Sequence, residues 1–227
     1  MSRVNSEFSR FAHSYGEYNT IQQIVAKKLI DSGRGAKNIL DLGCGRGAIY
    51  SLIDWEIESF VGVDFSSSML SLHPRDKSTI LYRGDFNDSN LYDYLQNYSL
   101  NHIYSSSALQ WADDLDSVMK NLSMLGAPLS LAIFTSNTFA SLHRCASIEP
   151  ILRSSDEVVA ILERYFDGKI EIERYILEFD STLDALRYIK KSGVSGGKNL
   201  LDYKSTKKLL SDYDIGYLEF EVLYFYS

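Results

Sequence analysis

The sequence predicts an α/β fold, a doubly wound, seven-stranded, mainly parallel sheet with helices on both faces. Three observations predict it. Short apolar runs alternate with segments of helical periodicity between residues 38 and 134, which is the pattern of repeated βαβ units. A glycine-rich loop follows the first apolar run. Two longer apolar runs close the chain, with about forty residues between them.

The elements follow in order from an amphipathic helix over about 18–32, in which Ile21, Val25 and Leu29 recur at helical spacing. Strands are predicted over 38–42, 59–63, 79–82, 101–104, 129–134, 170–179 and 217–226. Helices are predicted over 46–53, 66–72, 89–96, 113–122, 154–166, 183–191 and 205–211. We expect one domain over 1–227, with an N-terminal helical segment (1–36) and a helical lid (180–213) inserted between the last two strands, above the ligand-binding edge of the sheet.

A nucleoside site is predicted where the first strand ends. Gly43 and Gly45 have no Cβ, so a ligand can approach the backbone there. We expect free backbone amides at the start of the next helix to face that ligand. The second strand ends in Asp64, where a carboxylate can accept hydrogen bonds from ribose hydroxyls. A glycine turn without a ligand is the alternative, but it leaves Asp64 without a role.

Two details distinguish the possible nucleosides. Asp41 lies inside the strand, where a dinucleotide-binding fold usually has an apolar residue, and roughly forty residues precede that strand. Gly43, Gly45 and Ala48 still fit the looser dinucleotide fingerprint. The two details favour S-adenosylmethionine (SAM) over a dinucleotide.

Further candidates follow the later strands. Asp85 and Phe86 come after the third strand, where a carboxylate and an apolar ring can hold adenine; a turn aspartate and a core phenylalanine are the alternative. Met69 can line the same pocket or belong to the core. After the fourth strand, the small side chains of Ser105 and Ser106 permit close approach of two ligands.

The same stretch ends in Gln110 and Trp111. Gln110 offers an amide donor and acceptor in an otherwise apolar site. Trp111 can shield a reactive methyl group from water, or it can pack in the core. This stretch therefore predicts a place where cofactor and substrate meet.

Composition excludes several classes of protein. The chain has 227 residues, of which 45% are hydrophobic, enough for one substantial core. Its formal net charge of −7 opposes sequence-independent binding to nucleic acid. Cys44 and Cys145 are too few for a disulfide framework or a metal cluster. No run has the length of a signal-peptide core or a membrane span. We expect a soluble, cytoplasmic monomer without a metal, a membrane or a nucleic-acid partner.

Three motifs resemble class I SAM-dependent methyltransferases: Asp41-Leu-Gly-Cys-Gly, the run from Gly62 to Met69, and Ser-Ala-Leu-Gln-Trp111. Together they are similar to two families, the malonyl-acyl-carrier-protein O-methyltransferases of biotin synthesis and the trans-aconitate O-methyltransferases. The N-terminal run Phe8-x-Arg-x-Ala-x-x-Tyr15 and the lid segment 179–187 resemble the first family. The resemblance extends from about residue 8 to residue 225. Arg46 departs from it, because the family commonly has a smaller residue there.

The resemblance implies an antiparallel last strand, SAM as the cofactor, and methyl transfer to the free carboxylate of a malonyl thioester on acyl-carrier protein or coenzyme A. That carboxylate is ionised at neutral pH and needs no general base, so the four histidines are expected at surface or capping positions. The cofactor contacts that it implies are Tyr15, Asp41, Gly43, Cys44, Gly45, Asp64, Phe65, Met69, Asp85, Phe86, Ser105 and Ser106.

The catalytic set that the resemblance implies is Tyr15, Gln110 and Arg144. Arg144 is the candidate for binding the acceptor carboxylate, since a guanidinium matches a carboxylate with two hydrogen bonds; a solvated helix arginine is the alternative. Tyr15 is expected to close over the methyl group from the N-terminal helix, and an ordinary helix tyrosine is the alternative.

An acyl-carrier protein is acidic, as this chain is, so docking requires a basic face. The candidates are Arg187, Lys190, Lys191 and Lys198 of the lid; a solvated helix face is the alternative. Three other functions remain open: methyl transfer to a small polycarboxylate or quinone, oxidoreduction with a nicotinamide dinucleotide, and SAM binding without catalysis.

Overall fold

The computed structural model describes residues 19–192, 208–209, 212–213 and 216–227. The strands are β1 (Asn38–Leu42), β2 (Ser59–Asp64), β3 (Thr79–Arg83), β4 (His102–Ser106), β5 (Leu129–Phe134), β6 (Lys169–Glu178) and β7 (Tyr217–Tyr226). The α-helices are α1 (Thr20–Leu29), α2 (Ser67–Ser71), α3 (Ser89–Leu95), α4 (Leu115–Ser123), α5 (Ala140–Ala146), α6 (Ser155–Leu162) and α7 (Thr182–Ser192). Short 3₁₀ helices cover Ile30–Gly33, Tyr50–Leu52 and Leu109–Trp111.

The strands form one seven-stranded sheet in the order β3-β2-β1-β4-β5-β7-β6. Strands β1 to β5 are parallel, and β7 is antiparallel to both of its neighbours, β5 and β6. The predicted fold class, including the antiparallel last strand, is confirmed. The strand order reverses between β1 and β4, and ligands bind at that point in open α/β sheets.

Two apolar clusters cover the two faces of the sheet. In β5, Ala132 and Phe134 belong to one cluster, together with residues of α1, α5 and α7. Leu131 and Ile133 point to the other face, where α3, α4 and α6 pack. A sheet buried on both faces requires continuously apolar strands, and all six residues of β5 are buried. The two apolar clusters therefore bury both faces of the sheet, and its polar edge remains available for a ligand site.

The predicted helix over 46–53 is wrong. Gly43, Gly45 and Gly47 all have positive φ, at 82°, 52° and 83°, and a right-handed helix cannot include such residues. The loop therefore continues to residue 49, and only the 3₁₀ turn Tyr50–Leu52 follows.

Helix α5 was not predicted, because its two ends carry no sequence signal. It begins after Phe139 and ends before Ser147, and both residues adopt the left-handed conformation that glycine or asparagine usually marks. Asp114 caps α4, since its side chain accepts a hydrogen bond from the Ser117 amide.

The described part of the predicted lid is mainly α7. Ala185, Tyr188 and Ile189 of α7 share an apolar cluster with Ile21 and Val25 of α1. The predicted helix over 205–211 and the glycine-rich segment 193–197 lie almost wholly outside the described residues. Within the described ranges, every helix is too short or too polar to cross a bilayer.

Candidate active site

A cavity of about 620 Å³ opens at the C-terminal edge of the sheet, where the strand order reverses. Its walls come from the loop after β1, the ends of β2, β3 and β4, and one face of α1. This volume is typical of small-molecule sites. Many of the predicted cofactor residues line it: Gly43, Cys44, Gly45, Asp64, Phe65, Met69, Phe86 and Ser106.

The glycine loop is folded tightly against its neighbours. A Cβ on Gly43 would lie 2.2 Å from the Cβ of Ala108, so no larger residue fits there. The amides of Gly43 and Cys44 donate to the carbonyl of Val63 at 2.8 and 3.0 Å. The Gly45 amide donates to Asp64 Oδ2 at 2.9 Å. These three amides therefore fasten the loop to β2.

Asp64 lies at the cavity wall and organises this part of it. Its Oδ1 accepts a hydrogen bond from the Ser66 amide at 2.8 Å, while Oδ2 accepts the one from Gly45. Burial raises the pKa of Asp64 to about 6, although both hydrogen bonds favour the carboxylate. The remaining lone pairs of a carboxylate can still accept hydrogen bonds from a ribose.

Asp41 lies behind the loop and does not line the cavity. It is 1% exposed, and its Oδ1 has no hydrogen-bond partner. Burial, with the negative charge of Asp64 nearby, raises the pKa of Asp41 to about 8. The side chain is therefore largely protonated at neutral pH and does not carry a full charge.

The turn after β4 forms another wall of the cavity. Ser105 is fully buried, and its hydroxyl donates to the Leu42 carbonyl at 2.8 Å, which joins β4 to β1. Ser106, Ser107 and Trp111 line the cavity. Ser107 adopts φ 58°, which is uncommon outside glycine and often marks functional sites.

Gln110 is buried and does not line the cavity. Its Nε2 donates to the Ser107 carbonyl at 2.7 Å, and its Oε1 has no partner. The geometry assigns Gln110 to holding the turn in place.

Other predicted site residues lie elsewhere. Asp85 is exposed and accepts hydrogen bonds from the Asn87 amide and side chain, so it holds a local turn outside the cavity lining. Arg144 is exposed on α5 and donates to Ser141 Oγ at 3.1 Å, and it does not line the cavity. Tyr15 and Lys198 lie outside the described residues. Arg187 and Lys190 are exposed on α7.

The cavity also has walls that the sequence did not predict. Its α1 wall consists of Asn19, Gln22, Gln23, Ala26 and Lys27, and Arg46 of the glycine loop lines it too. The polar face of α1 was visible in the sequence, but a polar helix face looks the same whether it meets solvent or a cavity. Arg46 was noted only as a departure from a resemblance.

Three of the histidines are buried, which contradicts the expectation of surface or capping positions. His73, His102 and His143 are 4%, 5% and 8% exposed. The His73 ring packs near the rings of Tyr50 and Phe60. Burial lowers the pKa of all three, that of His102 to about 4, so they are neutral at pH 7. His13 lies outside the described residues.

The fold, the cavity at the strand-order reversal, the glycine loop and the acid at the end of β2 define a class I SAM-dependent methyltransferase, with SAM as its cofactor. Solved structures share the fold. The YcgJ protein of Bacillus subtilis superposes with a TM-score of 0.61 at 12% identity, over 90% of this chain and 98% of that one. Phosphoethanolamine N-methyltransferase 2 of Haemonchus contortus, solved with S-adenosylhomocysteine, gives 0.58 at 12% identity, over 98% of this chain and 60% of that one.

Residues 40–134 match the family profile described as a methyltransferase domain. The chain is 26% identical to malonyl-acyl-carrier-protein O-methyltransferase 2 of Ilyobacter polytropus, over 85% of this chain and 80% of that one. Malonyl-acyl-carrier-protein O-methyltransferase 1 of the same organism is 27% identical, over 92% of this chain and 86% of that one. The malonyl-acyl-carrier-protein O-methyltransferase of Chlorobium luteolum is 25% identical, over 92% of this chain and 85% of that one. Residues 40–134 therefore carry a methyltransferase domain, and the resemblance of the chain to the malonyl-acyl-carrier-protein enzymes is confirmed.

Proposed function

We propose that this enzyme methylates the free carboxylate of a malonyl thioester on acyl-carrier protein, giving the methyl ester that starts pimeloyl synthesis for biotin. The lining of the cavity is the observation that carries the proposal. Among its described lining residues there is no histidine, and the acid Asp64 is engaged by two backbone amides. An acceptor that arrives already ionised, as a carboxylate does, requires no base from such a cavity.

The similarity to the relatives supports the same acceptor. It covers 85–92% of the chain, whereas the shared methyltransferase domain accounts for residues 40–134 only. The similarity therefore extends well beyond the common domain.

When bound, the cofactor supplies a methyl group activated by a sulfonium. The acceptor carboxylate oxygen forms a bond to the methyl carbon as the carbon–sulfur bond breaks, and the electron pair of that bond stays on sulfur. The products are a methyl ester and S-adenosylhomocysteine (SAH), and no proton moves. The positive charge of the sulfonium and the negative charge of the carboxylate cancel during the step, so an environment without water favours it. Water is excluded by the apolar walls of the cavity, which are formed by Phe65, Met69, Phe86 and Trp111.

The roles of individual residues belong to the same proposal. Asp64 accepts hydrogen bonds from the ribose, and Phe86 lies beside the base, with Asp85 holding the turn before it. Asp41, Ser105 and Gln110 act through the loop and the turn that they support. Tyr15 closes over the methyl group. Arg144, on the exposed surface of α5 outside the cavity lining, contacts the acceptor carboxylate before it enters the cavity.

The basic residues in the last two turns of α7 support docking of an acidic carrier: Arg187 and Lys190 are exposed, and Lys191 is half-buried. Reversing the charge at Lys190 and Lys191 to Glu should raise the KM for the carrier substrate about tenfold and leave the SAH affinity unchanged. The matched control is Lys120→Glu on α4, which is also exposed. An unchanged KM would exclude α7 as the docking face.

The proposed reaction is tested by mass spectrometry with methyl-labelled SAM. Malonyl-carrier protein should gain one labelled methyl group on its free carboxylate, and acetyl-carrier protein, which lacks that carboxylate, should gain none. The rate with malonyl-coenzyme A, compared with the rate with malonyl-carrier protein, measures how much the carrier protein contributes to turnover. Turnover of trans-aconitate without turnover of malonyl-carrier protein would replace the proposal with a small-polycarboxylate methyltransferase.

A further inference from the structure

Strand β6 is one edge of the sheet that the described residues form, and all ten of its residues pair with β7. Glu221 of β7 turns both of its backbone groups away from β6. Its carbonyl accepts a hydrogen bond from the Thr135 amide at 3.0 Å, and its amide donates to Thr138 Oγ1 at 3.2 Å. Opposite residues of an antiparallel pair exchange both hydrogen bonds or neither. Arg174 lies opposite Glu221, so the amide and carbonyl of Arg174 point outward, away from the sheet.

This outward orientation recurs at every second residue of β6, because backbone groups alternate in direction along a strand. The outward groups are therefore those of Ile170, Ile172, Arg174, Ile176 and Glu178. Within the described ranges, these amides and carbonyls have no hydrogen-bond partner. An uncovered strand edge of this length is a template for pairing with another strand.

The side chains of these alternate residues share one face of β6, and that face is open. Ile172 and Ile176 are 48% and 63% exposed. Arg174 lies between them, and its Nε is 3.1 Å from Oε2 of the buried Glu221, which balances its charge. The edge of β6 therefore combines unpaired backbone groups with exposed apolar side chains.

We propose that β6 pairs antiparallel with β6 of a second copy of this chain, which joins the two sheets into one. A two-fold axis through Arg174, perpendicular to the sheet, places Ile172 opposite Ile176 of the partner subunit, and Ile176 opposite Ile172 of the partner subunit. Such apolar cross-strand pairs stabilise a sheet. An axis one residue earlier or later would place Arg174 opposite an isoleucine, so the axis at Arg174 fits best.

The charges on the other face of β6 are compatible with this pairing. Glu171 and Glu173 are both bound by Lys28 of the same chain, at 2.6 and 2.5 Å. The register places Glu173 opposite Tyr175 of the partner subunit, whose hydroxyl can donate to a carboxylate. Residues of β6 do not contribute to the described lining of the cavity, so pairing leaves both cavities open. The proposal is independent of the cofactor and of the acceptor, and it replaces the monomer expected from the sequence.

Sedimentation equilibrium of the full chain tests the dimer. The mass should rise with concentration from 25.8 kDa toward twice that value, with a Kd on the order of 10 µM because one strand pair is a small interface. Ile176→Lys should raise this Kd about tenfold or more, since it places a charge on the edge twice in each dimer. The matched control is Ile80→Lys on β3, because Ile80 is also exposed but lies at the opposite edge of the sheet. It should leave the Kd unchanged.

Cysteine cross-linking in a Cys145→Ser background tests the register. Ile172→Cys and Ile176→Cys in the same chain should give disulfide-linked dimers, because opposite Cα atoms lie about 5.5 Å apart. Either cysteine alone should give none, since the two copies of one residue are then separated by roughly 13 Å along the strands.

Unchanged SAH affinity shows that each variant is folded. A mass of 25.8 kDa at every concentration would overturn the proposal. A dimer that Ile176→Lys leaves intact would overturn it as well, and so would equal cross-linking of the single-cysteine and double-cysteine variants.

Discussion

At the scale of single residues, Asp41 is an ionisable group buried behind the cavity lining. It is buried beside Asp64, with one carboxyl oxygen unpaired. Its sequence position inside β1 predicted a special role, but the direction of its pKa shift came only from the structure. Both acids hold protons that an unfolded chain would release above its ordinary aspartate pKa of about 4.

This difference predicts how stability depends on pH. Folding raises the pKa of Asp41 to about 8 and that of Asp64 to about 6. The folded state then binds more protons than the unfolded one between about pH 4 and 8, so stability falls as the pH rises through that range. Asp41→Asn removes the larger part of the effect. In ligand-free protein, its Tm should exceed that of the wild type by about 5 °C at pH 8 and by little at pH 5.

Thermal unfolding from pH 5 to 8 measures this difference. Asp76→Asn is the control, because hydrogen bonds from Ser78 hold the pKa of Asp76 at about 2. Its contribution changes only in more acidic solution, so its Tm difference from the wild type should stay constant over this range. A constant difference for Asp41→Asn as well would mean that Asp41 is ionised in the folded protein at pH 5.

At the scale of elements, α1 joins three parts of the molecule. Ile21 and Val25 pack in the core with α7, Gln22 and Lys27 line the cavity, and Lys28 pairs with β6. Partial burial opposes the charge of Lys28, but its hydrogen bonds to Glu171 and Glu173 outweigh burial and raise the pKa of the amine. The sequence predicted α1 from its apolar spacing and could not show which of its polar residues meet β6.

The Lys28 contacts predict a coupling between β6 and the cofactor. Lys28→Met leaves Glu171 and Glu173 without their shared cation, so α1 should shift from β6 and SAH affinity should fall several-fold, with a Tm lower by a few degrees. Lys28→Arg should retain most of the SAH affinity and most of the Tm. Arg164→Met breaks a comparable pair with Asp116 outside the cavity lining, and its SAH affinity should equal that of the wild type. If Lys28→Met binds SAH with the affinity of the wild type, the position of α1 does not depend on β6.

At the scale of the whole molecule, the sheet was predictable because burial on both faces leaves a strong pattern. β1, β5 and β7 begin and end at the predicted residues, and each is an apolar run bounded by turns. The cavity was predictable only in part. Gly43, Asp64 and Phe86 follow strands whose ends meet at one edge, whereas α1 reaches the cavity through packing that no local pattern records. Helix α5 was missed because Phe139 and Ser147 adopt left-handed conformations without glycine.

The cavity as a whole predicts which parts of the protein respond to the cofactor. SAH should slow amide hydrogen exchange in stretches far apart in the sequence, namely α1, the loop after β1 and the turns after β2 and β4, because these together line one cavity. The groove formed by Asp114, Asp116, Arg153 and Arg164 lies elsewhere and should not respond. SAH at a hundredfold excess over its Kd should raise the Tm by about 5 to 10 °C, and NADH should not raise it. A Tm raised by NADH alone, or protection confined to the groove, would contradict the position of the site, since a ligand stabilises only the segments that contact it or pack on those that do.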